Sequence, residues 1–196
     1  MILREPMPLI QLDRGCLDCL CMENAFGRVF NKGNEMSSIQ LEGAMHMEWV
    51  EIKEQSDIND LLEHFGYFHD GCLREMYMWT GTYVNEDLSM VVPGELDTNV
   101  KLLFQRQYAN PSAIEILFEN VTGIQIIPSP ENYDSIIRDA IILKFENDFY
   151  WADVYDWHPK ENSDACSNWI SAKRMKWREV NDWMGKKNRY VIGEPY

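Results

Sequence analysis

Val100-Lys101-Leu102-Leu103-Phe104-Gln105-Arg106-Gln107-Tyr108, then Asn110-Pro111-Ser112, then Ala113-Ile114-Glu115-Ile116-Leu117-Phe118-Glu119-Asn120-Val121, decide the fold. Alternate residues of a strand point to opposite faces. Val100, Leu102, Phe104 and Arg106 therefore share one face of the first run with Tyr108. Ile114, Ile116 and Phe118 share one face of the second, with Glu115 and Glu119 opposite. Asn-Pro-Ser supplies the turn between them. Two alternating runs around a turn predict an antiparallel hairpin.

Upstream, Glu48-Trp49-Val50-Glu51-Ile52 alternates and predicts a strand. Ile58, Leu61, Leu62 and Phe65 fall at helical spacing, with Ser56-Asp57 to cap the helix and Gly66 to end it. Residues 73–84 are mostly β-favouring, with Leu73, Glu75, Tyr77, Trp79 and Tyr83 in one row. Downstream, residues 123–127 predict a short strand, and 132–139 a helical turn. Two runs, 140–146 and 149–157, flank a turn at Asn147-Asp148. Residues 169–178 alternate again, with Trp169, Met175 and Trp177 in one row. The expected fold is mainly β: an antiparallel β-sandwich or barrel-like sheet with one short N-terminal helix.

The 196 residues carry 18 Lys+Arg and 32 Asp+Glu, a net charge of −14. With 45% hydrophobic residues the chain can build a core, which excludes a disordered acidic tail. No apolar run reaches the roughly 20 residues of a membrane span. The first residues lack an apolar signal segment, so a cytoplasmic protein is expected. The charge is uneven. Residues 1–44 hold four basic and six acidic groups, 45–172 hold seven and 23, and 173–196 hold seven and three. The basic C-terminal stretch is expected to fold back on the acidic body, and nucleic acid is an unfavourable partner. Residues 1–44 have weak periodicity and are expected to be a peripheral extension, with a single β-rich domain over 45–196. Cys16, Cys19 and Cys21 give half of a zinc pattern with no second pair, so free thiols and no metal or other cofactor are expected.

From Phe68-His69-Asp70 onward, through Gly81-Thr82-Tyr83-Val84-Asn85-Glu86-Asp87-Leu88-Ser89-Met90, the chain resembles a family of small bacterial cytoplasmic proteins without established activity. The likeness continues at Leu103-Phe104-Gln105-Arg106-Gln107-Tyr108, Asn110-Pro111-Ser112, Tyr150-Trp151 and Met175-Lys176-Trp177-Arg178, and spans about residues 68–178. Phe-His-Asp before a strand is also similar to the opening of immunity proteins in bacterial toxin systems. That resemblance implies a binding role, not a reaction.

Two groups of residues could carry function. Glu86 and Asp87, in a long connection, and Glu131 and Asp134, near two prolines, could contact a basic protein partner. His69 and Asp70 could form an acid-base or metal site, since an adjacent acid can orient an imidazole. Glu75 and Arg106 would complete such a site. Arg106 faces inward and needs a partner, for which Glu75 and Asp153 are candidates. Trp151, Asp153, Tyr155 and Trp157 read as one strand face. The expectation is a non-enzymatic acidic binding protein that masks a basic surface, such as a toxin's. The alternatives are an enzyme centred on His69 and Asp70, and a structural or oligomerisation module.

Overall fold

The computed structural model describes residues 48–161 and 167–190, all within the unit Ala44–Tyr196. The expectations for residues 1–44, including the three clustered cysteines, lie outside the described residues. The described chain runs β1 (Val50–Ile52), α1 (Gln55–His64), a 3-10 turn (Gly66–Phe68), β2 (Gly71–Thr80), β3 (Tyr83–Val84), β4 (Met90–Val91), β5 (Thr98–Arg106), β6 (Ala113–Gln125), β7 (Ile141–Phe145), β8 (Asp148–Ala152) and β9 (Trp169–Glu179).

Seven strands form one antiparallel sheet in the order β2-β5-β6-β9-β8-β7, and β1 pairs with β9. β3 and β4 form a separate two-stranded ribbon between β2 and β5. The architecture is mainly β with a single α-helix, as the strand pattern predicts. The sheet stays open: β2 and β7 are its edges. β8 and β1 occupy successive stretches of the same side of β9, at Trp169–Ala172 and Met175–Trp177.

One face of the sheet carries the core. Val100, Leu102 and Phe104 of β5 meet Ile114, Ile116 and Phe118 of β6, Met175 of β9 and Trp151 of β8. Ile58, Leu61 and Leu62 of α1 bury their spaced apolar stripe against the same cluster, with Phe65 and Phe68 beside them. The helix begins at Gln55, with Glu54 as its N-cap, about one turn earlier than the sequence suggests. Asp57 sits at the third helical position, and its carboxylate accepts the N–H groups of Lys53 and Glu54 at 2.8 and 3.0 Å.

Strict alternation fails at irregularities that no residue type announces. A bulge at Leu73–Glu75 leaves Leu73 against the core while Glu75 faces the other way. Trp169 likewise points away from the core, where Met175 lies. Across the β6–β9 ladder, Phe118 and Val121 are both in the core, three residues apart, as are Met175 and Ala172. Asn120 between them takes the left-handed conformation, φ 58°, which resets the phase. The β7–β8 turn centres on Glu146-Asn147, one residue before the expected turn, because Phe145 pairs with Asp148. Residues 132–139 form no helix; Ile137 instead bridges to Gly71.

The second face is polar and is covered by residues 180–190. Leu103, Ala113 and Val180 are buried there, with Trp183 and Tyr190 packed on them. Much of the basic charge of β9 is paired on β6 or β8: Lys173 with Asp148, Arg174 and Lys176 with Glu119, and Arg178 with Glu115.

Candidate functional site

The chain passes from α1 to β2 through an unusual turn. Gly66, Tyr67, Phe68 and Asp70 all have φ between 53° and 62°. Left-handed backbone costs a non-glycine residue roughly 1–2 kcal/mol, so neighbouring contacts must hold it. Phe68 is fully buried. Tyr67 accepts the Ala140 N–H at 3.0 Å, and Gly71 accepts the Ile137 N–H at 2.8 Å. His69 donates from Nδ1 to the Arg138 carbonyl at 2.5 Å, which leaves Nε2 facing Asp70 at 3.8 Å. Asp139 lies 3.7 Å from the same ring, and the His69 side chain is about half exposed.

His69 and Asp70 are therefore neighbours on an open turn. Glu75 does not join them. Its carboxylate accepts the N–H groups of Arg189 and Tyr190 on the second face. Asp70 and Arg106 line one shallow recess with Cys72, Gln105 and Met184, yet no ion pair joins them. Among the described residues, no group of three or more His, Cys, Asp and Glu side chains could hold a metal ion.

Arg106 is buried, but neither Glu75 nor Asp153 is its partner. Its Nε donates to the Pro111 carbonyl at 2.7 Å and its Nη2 to the His64 carbonyl at 3.3 Å. The guanidinium lies over the Phe65 ring, 4.6 Å from its centroid. His64 closes α1, so the cation sits where the helix dipole is negative. Burial lowers the Arg106 pKa from its ordinary value. Gly66 suits this place twice over: its φ is 54°, and a Cβ there would stand 2.6 Å from Nη1 and displace the guanidinium. Arg106→Met is expected to lose about 1–3 kcal/mol, because two carbonyls lose their donor. Urea denaturation would check it, and an unchanged midpoint would refute the capping role.

The expected partner-binding residues occupy two exposed places. Glu86 and Asp87 form the tip of the β3–β4 ribbon. Asn85 and Ser89 close that tip, and Asp87 accepts the Ser89 N–H and hydroxyl at 2.9 and 2.6 Å. These bonds hold the Asp87 carboxyl below its ordinary pKa. Glu131 and Asp134 lie on the exposed loop before Ile137, where Asp134 pairs with Arg138 at 2.9 Å.

The ribbon carries a feature that counting charges alone misses. Met76, Tyr77, Met78, Tyr83, Val84, Leu88, Met90, Val92 and Leu96 are all exposed, with Leu88 at 84%. Residues 75–100 hold five carboxylates and no Lys, Arg or His. Exposed apolar residues scattered singly are ordinary; here nine fall within 26 consecutive residues. The outer side of β2 adds unpaired backbone groups: beyond the Gly71–Ile137 bridge it has no strand partner among the described residues.

The supposed aromatic face of β8 breaks up. Trp151 is buried in the core, Tyr155 is 72% exposed, and Trp157 packs at a tilt against Tyr150 and Trp169 on the opposite face. β8 ends at Ala152, so Asp153 to Trp157 turn instead of alternating. No described helix is long and apolar enough to cross a membrane. The chain matches no family model, and no curated protein and no solved structure matches it either.

Proposed function

We propose that this protein is a non-enzymatic binding protein of the bacterial cytoplasm that covers a basic surface of a partner protein, as an immunity protein covers a toxin. The observation that carries this reading is the stretch 75–100: nine exposed large apolar side chains, five carboxylates and no cation. Exposed apolar residues of such a stretch supply affinity, while the exposed carboxylates of Glu86 and Asp87 at the tip steer a basic partner and raise the on-rate. The patch suits a second copy of the chain poorly, because a two-fold interface would set its carboxylates against one another. The alternative of an enzyme centred on His69 and Asp70 has less support. The imidazole stands on an exposed turn, with one nitrogen committed to a backbone carbonyl.

The test uses the purified products of the flanking genes and measures binding kinetics at two salt concentrations. A basic product is expected to bind, with an on-rate that falls as salt rises. Glu86→Lys with Leu88→Lys, both on the exposed tip, should slow association at least about tenfold with the fold intact by circular dichroism. No binding by any basic neighbour, or binding indifferent to the tip, would overturn the reading. So would sedimentation as a dimer that the same substitutions dissolve.

A further inference from the structure

A cavity of about 280 Å³ opens between the end of β8 and residues 126–137. That is below the roughly 300–1,000 Å³ of sites that hold drug-sized ligands, and it suits a single side chain. Leu73, Ile126, Ile127 and Ile136 give it apolar walls. Asp153 lies within it. Its carboxylate accepts the Asn168 N–H at 2.9 Å and the Asn168 side-chain amide at 2.5 Å, and no cation pairs with it among the described residues. Burial pushes the Asp153 carboxyl up in spite of those two bonds. Asp134, the second carboxylate of the cavity, already pairs with Arg138. Trp151 also lines the cavity. It is 1% exposed, and its indole N–H has no acceptor among the described residues.

A partly buried anion without a counter-ion is costly to leave unmatched. A cation on an apolar stem meets that need and also fits the apolar walls. We infer that this cavity is a socket for a lysine or arginine side chain of a bound polypeptide. The cation pairs with Asp153, and the methylene stem lies on Leu73, Ile126 and Ile136. The inference rests on the proposed function only for the basic character of the polypeptide.

The experiment needs no natural partner. N-acetyl-L-arginine methylamide is titrated into the full-length protein while the indole N–H resonances are followed by NMR. A saturable shift of the Trp151 resonance is expected, with a dissociation constant in the millimolar range. The norleucine analogue, which keeps the stem and the carbonyls but lacks the cation, should bind at least tenfold more weakly. Asp153→Asn should weaken the arginine probe at least fivefold. Because Asp153 also holds Asn168, a second variant, Ile136→Lys, places a tethered ammonium at the half-exposed wall and should block the probe without touching that pair. No saturable shift up to about 50 mM probe would overturn the socket, as would equal binding of the norleucine analogue. A failed titration alongside a bound basic neighbour would leave the proposed function standing, and the reverse result would leave the socket standing.

Discussion

Replacing Glu115 with alanine is expected to destabilise the fold by about 3–5 kcal/mol, the range for removing one member of a buried ion pair. Glu115 has no exposed surface and sits in mid-sheet, opposite Leu103 on β5 and Arg178 on β9. Arg178 meets its Oε2 through both Nε and Nη2, each at 2.6 Å, and Lys101 stands 3.5 Å from Oε1. The guanidinium is also sandwiched between Trp49 and Trp183, at 4.6 and 5.6 Å from the ring centroids. The alanine variant removes the carboxylate shared by the buried Arg178 and the partly exposed Lys101. For a domain of this size the melting temperature should fall by about 10 °C. The diagnostic variant is Glu115→Leu with Arg178→Met, which removes both charges and keeps the volume. It should recover most of the loss, because a buried pair is worth little more than good apolar packing. If the double variant is as unstable as Glu115→Ala, the charge argument fails and shape alone explains the site.

This pair shows where sequence reasoning stops. Alternation put Glu115 opposite Ile114 and Ile116, as found, but a carboxylate in that phase reads as solvent-facing. It is buried because residues 180–190 cover the second face, and nothing in residues 113–121 announces that cover. Arg106 shows the reverse. Its inward phase was legible from Val100, Leu102 and Phe104, yet the rule that a buried cation needs a carboxylate misled. Two backbone carbonyls and a ring satisfy it, and backbone acceptors are invisible to a search for acidic partners. The rows through Leu73 and Trp169 failed for a third reason. The bulge in β2 reverses the phase of every later residue on that strand, and β9 changes phase between Ala172 and Met175, both in the core three residues apart; side-chain type records neither. The candidate surface was half legible: the acids of the ribbon tip could be read directly. The exposure of Met76, Met78 and Met90 could not, because methionine on a strand reads as core until the sheet's edge is known.

Phe68→Ala is expected to destabilise by about 3–5 kcal/mol, the range for emptying a phenylalanine site in a packed core. Its ring makes edge contacts with Phe65, Phe104 and Trp151, with centroids 5.1, 4.9 and 6.2 Å apart. Those contacts tie the helix end, β5 and β8 to one point. They also secure the left-handed backbone of Tyr67, Phe68 and Asp70, which no local preference supports. Alanine keeps that backbone strain and loses the packing that offsets it. Loosening should therefore spread beyond the cavity to the bonds made by the turn. Hydrogen exchange of the Ile137 and Ala140 amides, which donate to Gly71 and Tyr67, should speed up more than that of the mid-sheet amides of β6. His69→Ala gives the contrast. It removes one hydrogen bond from a half-exposed side chain and should cost only about 1 kcal/mol. The Phe-His-Asp sequence would then be an architectural device, with its weight on the phenylalanine and the histidine pinning the turn. If His69→Ala proves the costlier change, or if exchange at Ile137 and Ala140 is unaffected in Phe68→Ala, the turn is held by something other than this aromatic cluster.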